Sequence, residues 1–357
     1  MISTYWPRAK LPHAHYAHIV SSGVLALLGS GETGPGMTKV HRGLLTHLDE
    51  VRAVNLNTPF GFQENVPQMT EKLLTYFSTS LHLDMAALDL RSYESATPEQ
   101  RQNFKDAVRR ANYVFAGPGS PSYALRQWVP LNLTEDLTSV LAQGGVVCFS
   151  SAAAVTLGHY APPVYEIYKS GTGLEWLAGL DLMAAVGLDC VVLPHYNNAE
   201  GRDYDTSRCY IGERRLRLLE EDLPPGVGVL GVDEHTAAII DLAASTMTVR
   251  GKGEAHWRLA GRVTDFPNTS VVPLADLGAQ ARTLEPVAEL APPSSNVVDE
   301  GEINQLRDAQ DRLVESLNAI RATARAAGLY AIADEIRDAL SASGILVRDG
   351  AISANPQ

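Results

Sequence analysis

The stretch GGVVCFSSAAAVTLG, residues 144–158, contains the pattern on which the fold assignment depends. Two glycines precede the apolar run VVCF, which leads directly into two serines and a run of small residues. A continuous apolar run of this kind is typical of a strand buried on both faces of a parallel sheet. Small residues after it suit a sharp turn that presents a serine at a helix N-terminus. Serine is also a common helix N-cap, so the stretch by itself allows a nucleophile or a cap.

Short apolar runs alternate with longer amphipathic stretches on both sides of this segment. The runs that predict strands are residues 24–28, 51–56, 85–90, 113–116, 146–149, 190–193 and 227–232. The stretches that predict helices are residues 38–48, 66–78, 98–111 and 134–142. Residues 237–241 and 246–250 resemble a closing β pair. The alternation indicates βαβ units, so we predict an α/β fold whose mostly parallel, flavodoxin-like sheet is flanked by helices.

The composition excludes several classes of protein. The 357 residues carry a formal net charge of −12, which argues against a nucleic-acid or anionic-membrane binder. The cysteines Cys148, Cys190 and Cys209 are too far apart for a structural zinc site. No signal peptide and no long apolar segment is recognisable. We therefore expect a cytoplasmic protein that does not bind membranes and needs no metal or organic cofactor.

The chain changes character after the α/β region. We predict an N-terminal extension at residues 1–22, a catalytic-type α/β domain at 23–275, a Pro/Ala-rich linker at 276–298 and a small C-terminal α-helical hairpin at 299–357. Prolines and serines make up much of the linker, and apolar residues recur at helical spacing beyond it.

A glycine-rich segment, Gly29-Ser30-Gly31-Glu32-Thr33-Gly34, follows the first predicted strand. It has the G-x-G-x-x-G form of a dinucleotide-binding turn. Pro35-Gly36 is expected to prolong the turn, and no acidic residue ends the next strand, as that kind of site requires. The alternative is a loop at the end of the strand that shapes some other pocket.

Three more segments follow predicted strands. Gly117-Pro118-Gly119 is either an oxyanion-binding loop or an ordinary tight turn. His195 follows one later strand and Glu234 another. Open α/β sheets place active sites at the carboxyl ends of their strands, so we expect Ser151, His195 and Glu234 at one sheet edge.

With these segments, the chain resembles the peptidase E and cyanophycinase family of serine peptidases, which has the class I glutamine-amidotransferase-like fold. The family's G-x-S-A-G-A elbow matches FSSAAA, residues 149–154, although Phe149 and Ala153 stand where the family has glycine. The resemblance implies that Ser151 is the nucleophile, His195 the base and Glu234 the orienting acid. It also implies an oxyanion hole formed by the N–H groups of Gly119 and Ala152. Ser150 is the alternative nucleophile, although the alignment of the helix that follows favours Ser151.

The resemblance implies a serine hydrolase that cleaves small aspartate-containing peptides or amides. Gly117, Asn197 and Arg208 are the candidate substrate contacts, because an arginine can bind a carboxylate with two hydrogen bonds. A surface ion pair of Arg208 with Asp203, Asp205 or Glu213 is the alternative. The other function that stays open is a catalytically inactive binding protein for a peptide, nucleotide or tRNA-related ligand. Glutaminase chemistry is disfavoured because the elbow carries serine.

The tail offers a second resemblance. Residues 321–349, with the segment YAIADEIRDAL at 330–340, are similar to the C-terminal helical module of cysteinyl-tRNA synthetases. No nucleotide-binding signature of those enzymes precedes it, so the resemblance implies a borrowed docking or dimerisation hairpin. The expected partners are therefore a small peptide or amide substrate and further copies of this chain, but no nucleic acid.

Overall fold

The computed structural model describes residues 22–278 and, in the tail, residues 317, 319–324, 326, 332, 334 and 336. The chain divides into two units, Met1–Thr283 and Leu284–Gln357. The described residues of the tail are helical. The predicted extension up to residue 21, most of the linker and most of the hairpin lie outside the described residues. The predictions for those segments therefore stay predictions.

The first unit contains strands and helices in alternation. The strands are β1 Val24–Leu28, β2 Ala53–Leu56, β3 Met85–Leu88, β4 Tyr113–Ala116, β5 Val146–Ser150, β6 Tyr160–Ala161, β7 Leu177–Ala178, β8 Cys190–Leu193, β9 Gly228–Val232, β10 Thr236–Asp241, β11 Thr246–Gly251, β12 Ala255–Leu259, β13 Arg262–Phe266 and β14 Val271–Pro273. The helices are α1 Pro35–Leu45, α2 Val66–Leu81, α3 Pro98–Arg110, α4 Pro121–Leu131, α5 Leu133–Ala142, α6 Ala152–Val155, α7 Val164–Lys169, α8 Leu182–Ala185 and α9 Glu213–Glu221. Short 3₁₀ turns occupy Thr58–Phe60 and Leu274–Leu277. Within the described residues, every helix is too short or too polar to cross a membrane.

An eight-stranded sheet forms the centre of this unit, with the strand order β14-β11-β10-β1-β5-β4-β2-β3. Neighbouring strands from β1 to β3 in this order are parallel, whereas β10, β11 and β14 pair antiparallel at the other side. Helices pack on both faces of the sheet. The predicted mixed α/β fold with a mainly parallel sheet is confirmed.

Strand β1 shows why these runs are apolar throughout. Leu25 and Leu27 pack in the core that also contains α3, α4 and α5, whereas Ala26 and Leu28 pack in the core that contains α1 and α2. Side chains of a strand alternate between the two faces of its sheet, and here both faces are covered. Every residue of β1 is therefore buried, and no polar position interrupts it.

Two helices differ from the sequence expectation at prolines. Helix α1 begins at Pro35, three residues before the predicted start, because proline is tolerated at the first position, where no N–H is needed. Helix α4 begins at Pro121 for the same reason and continues through Pro130 near its end. We did not predict α4, since Pro121 indicates a turn and Pro130 disfavours a helix interior.

A second sheet corrects the single sheet edge that we expected. Strands β8 and β9 lie in a four-stranded sheet of order β13-β12-β9-β8 and do not extend the main sheet. The chain leaves β9, turns at residues 233–235 and returns as β10, antiparallel to β1 in the main sheet. Glu234 thus lies on the turn that joins the two sheets. The apolar runs predict these strands correctly but contain no information about which partner each one pairs with.

Candidate active site

The turn between β5 and α6 holds Ser151 in an unusual backbone conformation. Its φ is 51° and its ψ is −125°, a combination that residues other than glycine rarely adopt. Its N–H donates to the carbonyl of Leu28 (3.1 Å), and its carbonyl accepts from the N–H of Val155 (3.3 Å). A single residue therefore makes the whole turn from strand to helix. This is the arrangement that presents a serine hydroxyl at a helix N-terminus.

Ser151, His195 and Glu234 are joined by hydrogen bonds. The Oγ atom of Ser151 lies 2.8 Å from Nε2 of His195, and Nδ1 of His195 lies 2.8 Å from Oε1 of Glu234. The His195 side chain is 14% exposed and that of Glu234 is 27% exposed. Because the carboxylate accepts from Nδ1, the neutral imidazole carries its proton there. Nε2 is then free to accept the serine proton.

Two asparagines hold Glu234 in place. The Asn198 side-chain amide donates to the same Oε1 atom (2.9 Å), and Oδ1 of Asn197 accepts from the backbone N–H of Glu234 (2.9 Å). Burial raises the pKa of the Glu234 carboxyl, but the hydrogen bonds from His195 and Asn198 outweigh burial and hold that pKa below its usual value. The carboxylate is therefore charged at neutral pH. The sequence offered Asn197 as a substrate contact, and that role stays a prediction.

Ser150 and Ser151 face different partners. The Ser150 hydroxyl donates to Oε2 of Glu32 (2.9 Å), and the residue is fully buried. The imidazole of His195 faces Ser151 alone of the two. Geometry therefore favours Ser151 as the partner of the histidine. Glu32 was not predicted from the sequence, because only the glycines around it match a known binding pattern.

The glycine-rich loop also contacts the other two segments of the site. The carbonyl of Gly29 accepts from the backbone N–H of His195 (3.2 Å), and Oγ of Ser30 accepts from the backbone N–H of His235 (3.3 Å). Together with the Glu32 contact to Ser150, the loop touches every segment that carries a predicted catalytic residue. These contacts agree with the second interpretation, a loop that shapes another site.

The glycines of this loop are explained by close packing. A Cβ atom on Gly29 would lie 1.9 Å from the carbonyl oxygen of Asp233. A Cβ atom on Gly31, whose φ is +68°, would lie 2.2 Å from Nδ1 of His235. A side chain at position 29 would require the backbone of the turn at residues 233–235 to move, and one at position 31 would require the His235 side chain to move. The G-x-G-x-x-G pattern here has a structural cause other than phosphate binding.

His41 forms a hydrogen bond to the backbone of the glycine-rich loop. Its Nε2 atom bonds the carbonyl of Glu32 (2.8 Å), and its Nδ1 atom bonds the Tyr113 hydroxyl (2.7 Å). Burial lowers the pKa of His41 to about 4, although the Glu32 carbonyl opposes that change. The native protein thus keeps this imidazole neutral at pH values where an unfolded chain would protonate it.

We expect this histidine to make folding stability fall in mild acid. The unfolded chain binds a proton at His41 below about pH 6.5, whereas the folded chain does so only near pH 4. Above pH 6.5 the contribution of His41 to the free energy of unfolding is fully present. It is lost as the pH drops towards 4, and the loss is about 2 kcal/mol at pH 5. Urea unfolding at pH 7 and pH 5 measures this loss. In the His41→Gln variant the loss should be smaller by that amount, and an equal loss in both proteins contradicts the assignment.

The Gly117–Gly119 loop lies against the elbow. The carbonyl of Gly117 accepts from the N–H of Ala153 (3.3 Å), and a Cβ on Gly119 would lie 1.9 Å from the carbonyl oxygen of Pro59. Within residues 22–278, the Gly119 N–H has no assigned backbone acceptor. The Ala152 N–H lies at the first position of α6, where no intrahelical acceptor exists. The oxyanion role of this pair and the substrate role of Gly117 stay predictions.

A left-handed turn at residues 208–210 packs against His195. Arg208, Cys209 and Tyr210 have φ values of 57°, 60° and 64°. Such a conformation costs roughly 1–2 kcal/mol per residue, so surrounding contacts must hold it. The Cys209 N–H donates to the carbonyl of His195 (3.2 Å), and the Tyr210 ring lies 5.3 Å from the imidazole. No local sequence pattern predicts this turn, so the contact between Tyr210 and His195 was not expected.

The Arg208 guanidinium already has three partners. Its Nε donates to Oε2 of Glu213 (2.8 Å), its Nη1 donates to the carbonyl of Tyr196 (3.1 Å), and the group lies 4.1 Å above the Tyr196 ring. This is the ion pair that the sequence analysis left open as the alternative. A substrate-binding role for Arg208 stays a prediction, and it requires the guanidinium to share its donors or to leave Glu213.

The cysteines differ from the serine in their surroundings. Cys148 and Cys209 are buried, and burial raises the pKa of each thiol to about 12. Burial also raises the pKa of Cys190. A thiol must ionise to act as a nucleophile, so none of the three is prepared for that chemistry.

Phe149 does not prevent the elbow from forming. Its ring is fully buried and packs against Trp128, with ring centroids 5.7 Å apart. The side chain therefore lies in the core on one face of the sheet, while the sharp turn occurs two residues later at Ser151. The departure from the family's glycine is accommodated by packing.

Comparison with known proteins gives a structural likeness. No protein-family model matches the chain, and no curated protein matches it. The crystal structure of a peptidase from an acI-B1 Actinobacterium aligns with a TM-score of 0.58 and 19% identity, over 72% of this chain and 99% of that chain. The crystal structure of a candidate peptidase E protein from Listeria monocytogenes EGD-e aligns with a TM-score of 0.39 and 15% identity, over 69% of this chain and 99% of that chain. The first alignment shows that the α/β unit has the fold of that actinobacterial peptidase.

Proposed function

We propose that this protein is a serine hydrolase that cleaves peptide or amide bonds. The observation that carries the proposal is the pair of 2.8 Å hydrogen bonds that link Ser151, His195 and Glu234. A strained serine at a strand-to-helix turn, a histidine within reach of it and a carboxylate behind the histidine are the parts that nucleophilic catalysis requires. The peptidase description of the structural neighbour supports the same reaction class.

In the proposed mechanism, Ser151 attacks the substrate carbonyl while Nε2 of His195 takes the hydroxyl proton. Glu234 holds the imidazole tautomer and stabilises the imidazolium that forms. The N–H groups of Gly119 and Ala152 would bind the oxyanion, each contributing about 3 kcal/mol to the transition state. The imidazolium then protonates the leaving amine as the carbon–nitrogen bond breaks. Water hydrolyses the resulting ester on Ser151 by the same proton transfers in reverse order.

The substrate class that we propose is small peptides or amides that contain aspartate. Support comes from the resemblance of residues 149–154, 195 and 231–237 to peptidase E and cyanophycinase. The inactive binding protein remains the second candidate, and it is motivated by Phe149 together with the predicted C-terminal hairpin. Because that ring packs in the core and Ser151 keeps the elbow conformation, no described feature favours it over an enzyme.

A fluorophosphonate probe tests the proposal without knowledge of the substrate. We expect one adduct, located on Ser151 by peptide mapping, because the probe reacts only with an activated serine. The His195→Ala variant should label far more slowly, since it lacks the base. Intact mass after treatment measures the adduct.

Two outcomes would change the assignment. An adduct on Ser150 would place the nucleophile one residue earlier. The absence of any adduct, under conditions that label a known serine hydrolase, would favour the inactive binding protein. That alternative predicts a ligand-dependent rise in melting temperature without product formation.

A further inference from the structure

A cleft lies between α1 and the β10–β11 hairpin, and Ser150 is not among the residues that line it. Its volume is about 630 Å³, which suits a small organic molecule. One wall is the face of α1 with Gly36, Lys39 and Gly43, and the other is the face of β11 that carries Thr246, Thr248 and Arg250. None of the proposed catalytic residues lines it.

The lining of this cleft is basic, although the chain as a whole is acidic. Lys39, His47, His235, Arg250 and Lys252 line it, and its one acidic residue is Asp241. Oδ1 of Asp241 accepts from the backbone N–H of Ala244, a contact within its own turn. Counting only lysine and arginine, the cleft has three cations against one acidic residue, whereas the chain has 29 against 41.

Some cations of the described chain are paired with carboxylates, whereas others, including those of the cleft, are not. Arg258, for example, is held by Glu213 and Glu220, and Lys105 is held by Asp136. Within the described part of the chain, neither Lys39, Arg250 nor Lys252 forms an ion pair with a carboxylate. Their positive charge is therefore available to a ligand.

Two glycines on α1 leave open space on its side of the cleft. A Cβ added to Gly36 or to Gly43 would meet no atom within 4 Å, so the space in front of each is open. Glycine inside a helix costs about 1 kcal/mol relative to alanine, and no packing contact explains Gly43. Across the cleft, the hydroxyl-bearing residues Thr246 and Thr248 add possible hydrogen-bond donors.

We propose that this cleft binds a small organic anion with two or more negative charges, carried by phosphate or carboxylate groups. The spread of the cations favours several charges over one, since Lys39 lies on α1 whereas Arg250 and Lys252 lie at the end of β11 and just beyond it. Lysine and arginine both bind phosphate and carboxylate groups through charge-assisted hydrogen bonds.

One residue of the cleft is a chain neighbour of a proposed catalytic residue. His235 lines the cleft and directly follows Glu234 in the chain. A bound anion would therefore lie close to the turn that carries Glu234. The binding proposal itself does not depend on whether the protein is a hydrolase.

Titration calorimetry with inorganic pyrophosphate and with citrate tests the proposal on the full chain. We expect saturable binding of at least one of them at one site, weakened by added salt. Tighter binding of pyrophosphate indicates a phosphate-bearing ligand, and tighter binding of citrate indicates a carboxylate-bearing one. The combined variant Lys39→Ala, Arg250→Ala, Lys252→Ala should weaken binding by about tenfold or more.

The matched control is the variant Arg110→Ala, Arg214→Ala, Arg262→Ala, which removes three exposed cations outside the cleft lining. It changes the net charge equally, and its affinity should stay within about twofold of the native value. All six side chains are exposed, so both variants are expected to fold, which circular dichroism can check. The proposal is overturned if neither anion binds the native chain, or if both variants lose affinity alike.

Discussion

Replacing Ser151 with alanine is expected to lower kcat/KM for amide hydrolysis by about 10⁴-fold or more. The variant keeps the base, the acid and the oxyanion donors but has no oxygen to attack the carbonyl. Its fold should persist, because Ser151 is partly exposed and its backbone hydrogen bonds do not involve the side chain. Steady-state kinetics on aspartyl dipeptides or on an activated ester measures the loss.

Ser150→Ala is the matched control for this prediction. It removes a hydroxyl from the neighbouring position, where the partner is Glu32 and not His195. We expect activity to fall by no more than about tenfold, because only one hydrogen bond under the elbow is lost. If Ser150→Ala abolished activity and Ser151→Ala retained it, the proposed nucleophile would be wrong.

The second large effect is expected at Glu234. Glu234→Ala should lower kcat/KM by about 10³–10⁴-fold, since the imidazole loses both its orientation and the negative charge behind it. Most of the change should appear in kcat, because no substrate contact is removed. Rates with a single substrate at several concentrations separate kcat from KM.

Glu234→Gln separates charge from orientation. In the native protein His195 and Asn198 both donate to Oε1, so a glutamine can offer its oxygen to both donors and preserve the tautomer. We therefore expect Glu234→Gln to lose less activity than Glu234→Ala. A loss in the glutamine variant equal to that in the alanine variant would mean that the charge, not the orientation, dominates. Unchanged activity in both variants would remove Glu234 from the mechanism.

Much of the α/β unit could be predicted from local sequence. The strands at residues 24–28, 113–116 and 190–193 agree with the structure residue for residue, because each is a continuous apolar run bounded by polar or turn-forming residues. The same reasoning missed α4, whose prolines occupy positions that tolerate them only in this context. It also placed β8 and β9 in the wrong sheet, since apolar runs do not encode strand partners.

The candidate site shows the same division. The identities of Ser151, His195 and Glu234 came from their positions after strands and from the family resemblance. The role of Glu32 beside Ser150, and of Asn198 beside Glu234, depends on contacts between residues 118 and 36 positions apart in the chain. No local pattern contains such contacts.

The sequence by itself determined the parallel strands of the main sheet, the helices α1, α2, α3 and α5 that flank it, and the three candidate catalytic residues. These depend on apolar periodicity and on side-chain chemistry, which are properties of short segments. Only the tertiary structure decided that Ser151 and not Ser150 faces the histidine, that Arg208 is held by Glu213, and that the glycine-rich loop packs against the turn at residues 233–235. Each of these depends on where two distant segments meet, because a close approach or a shared hydrogen bond exists only after the sheets have assembled.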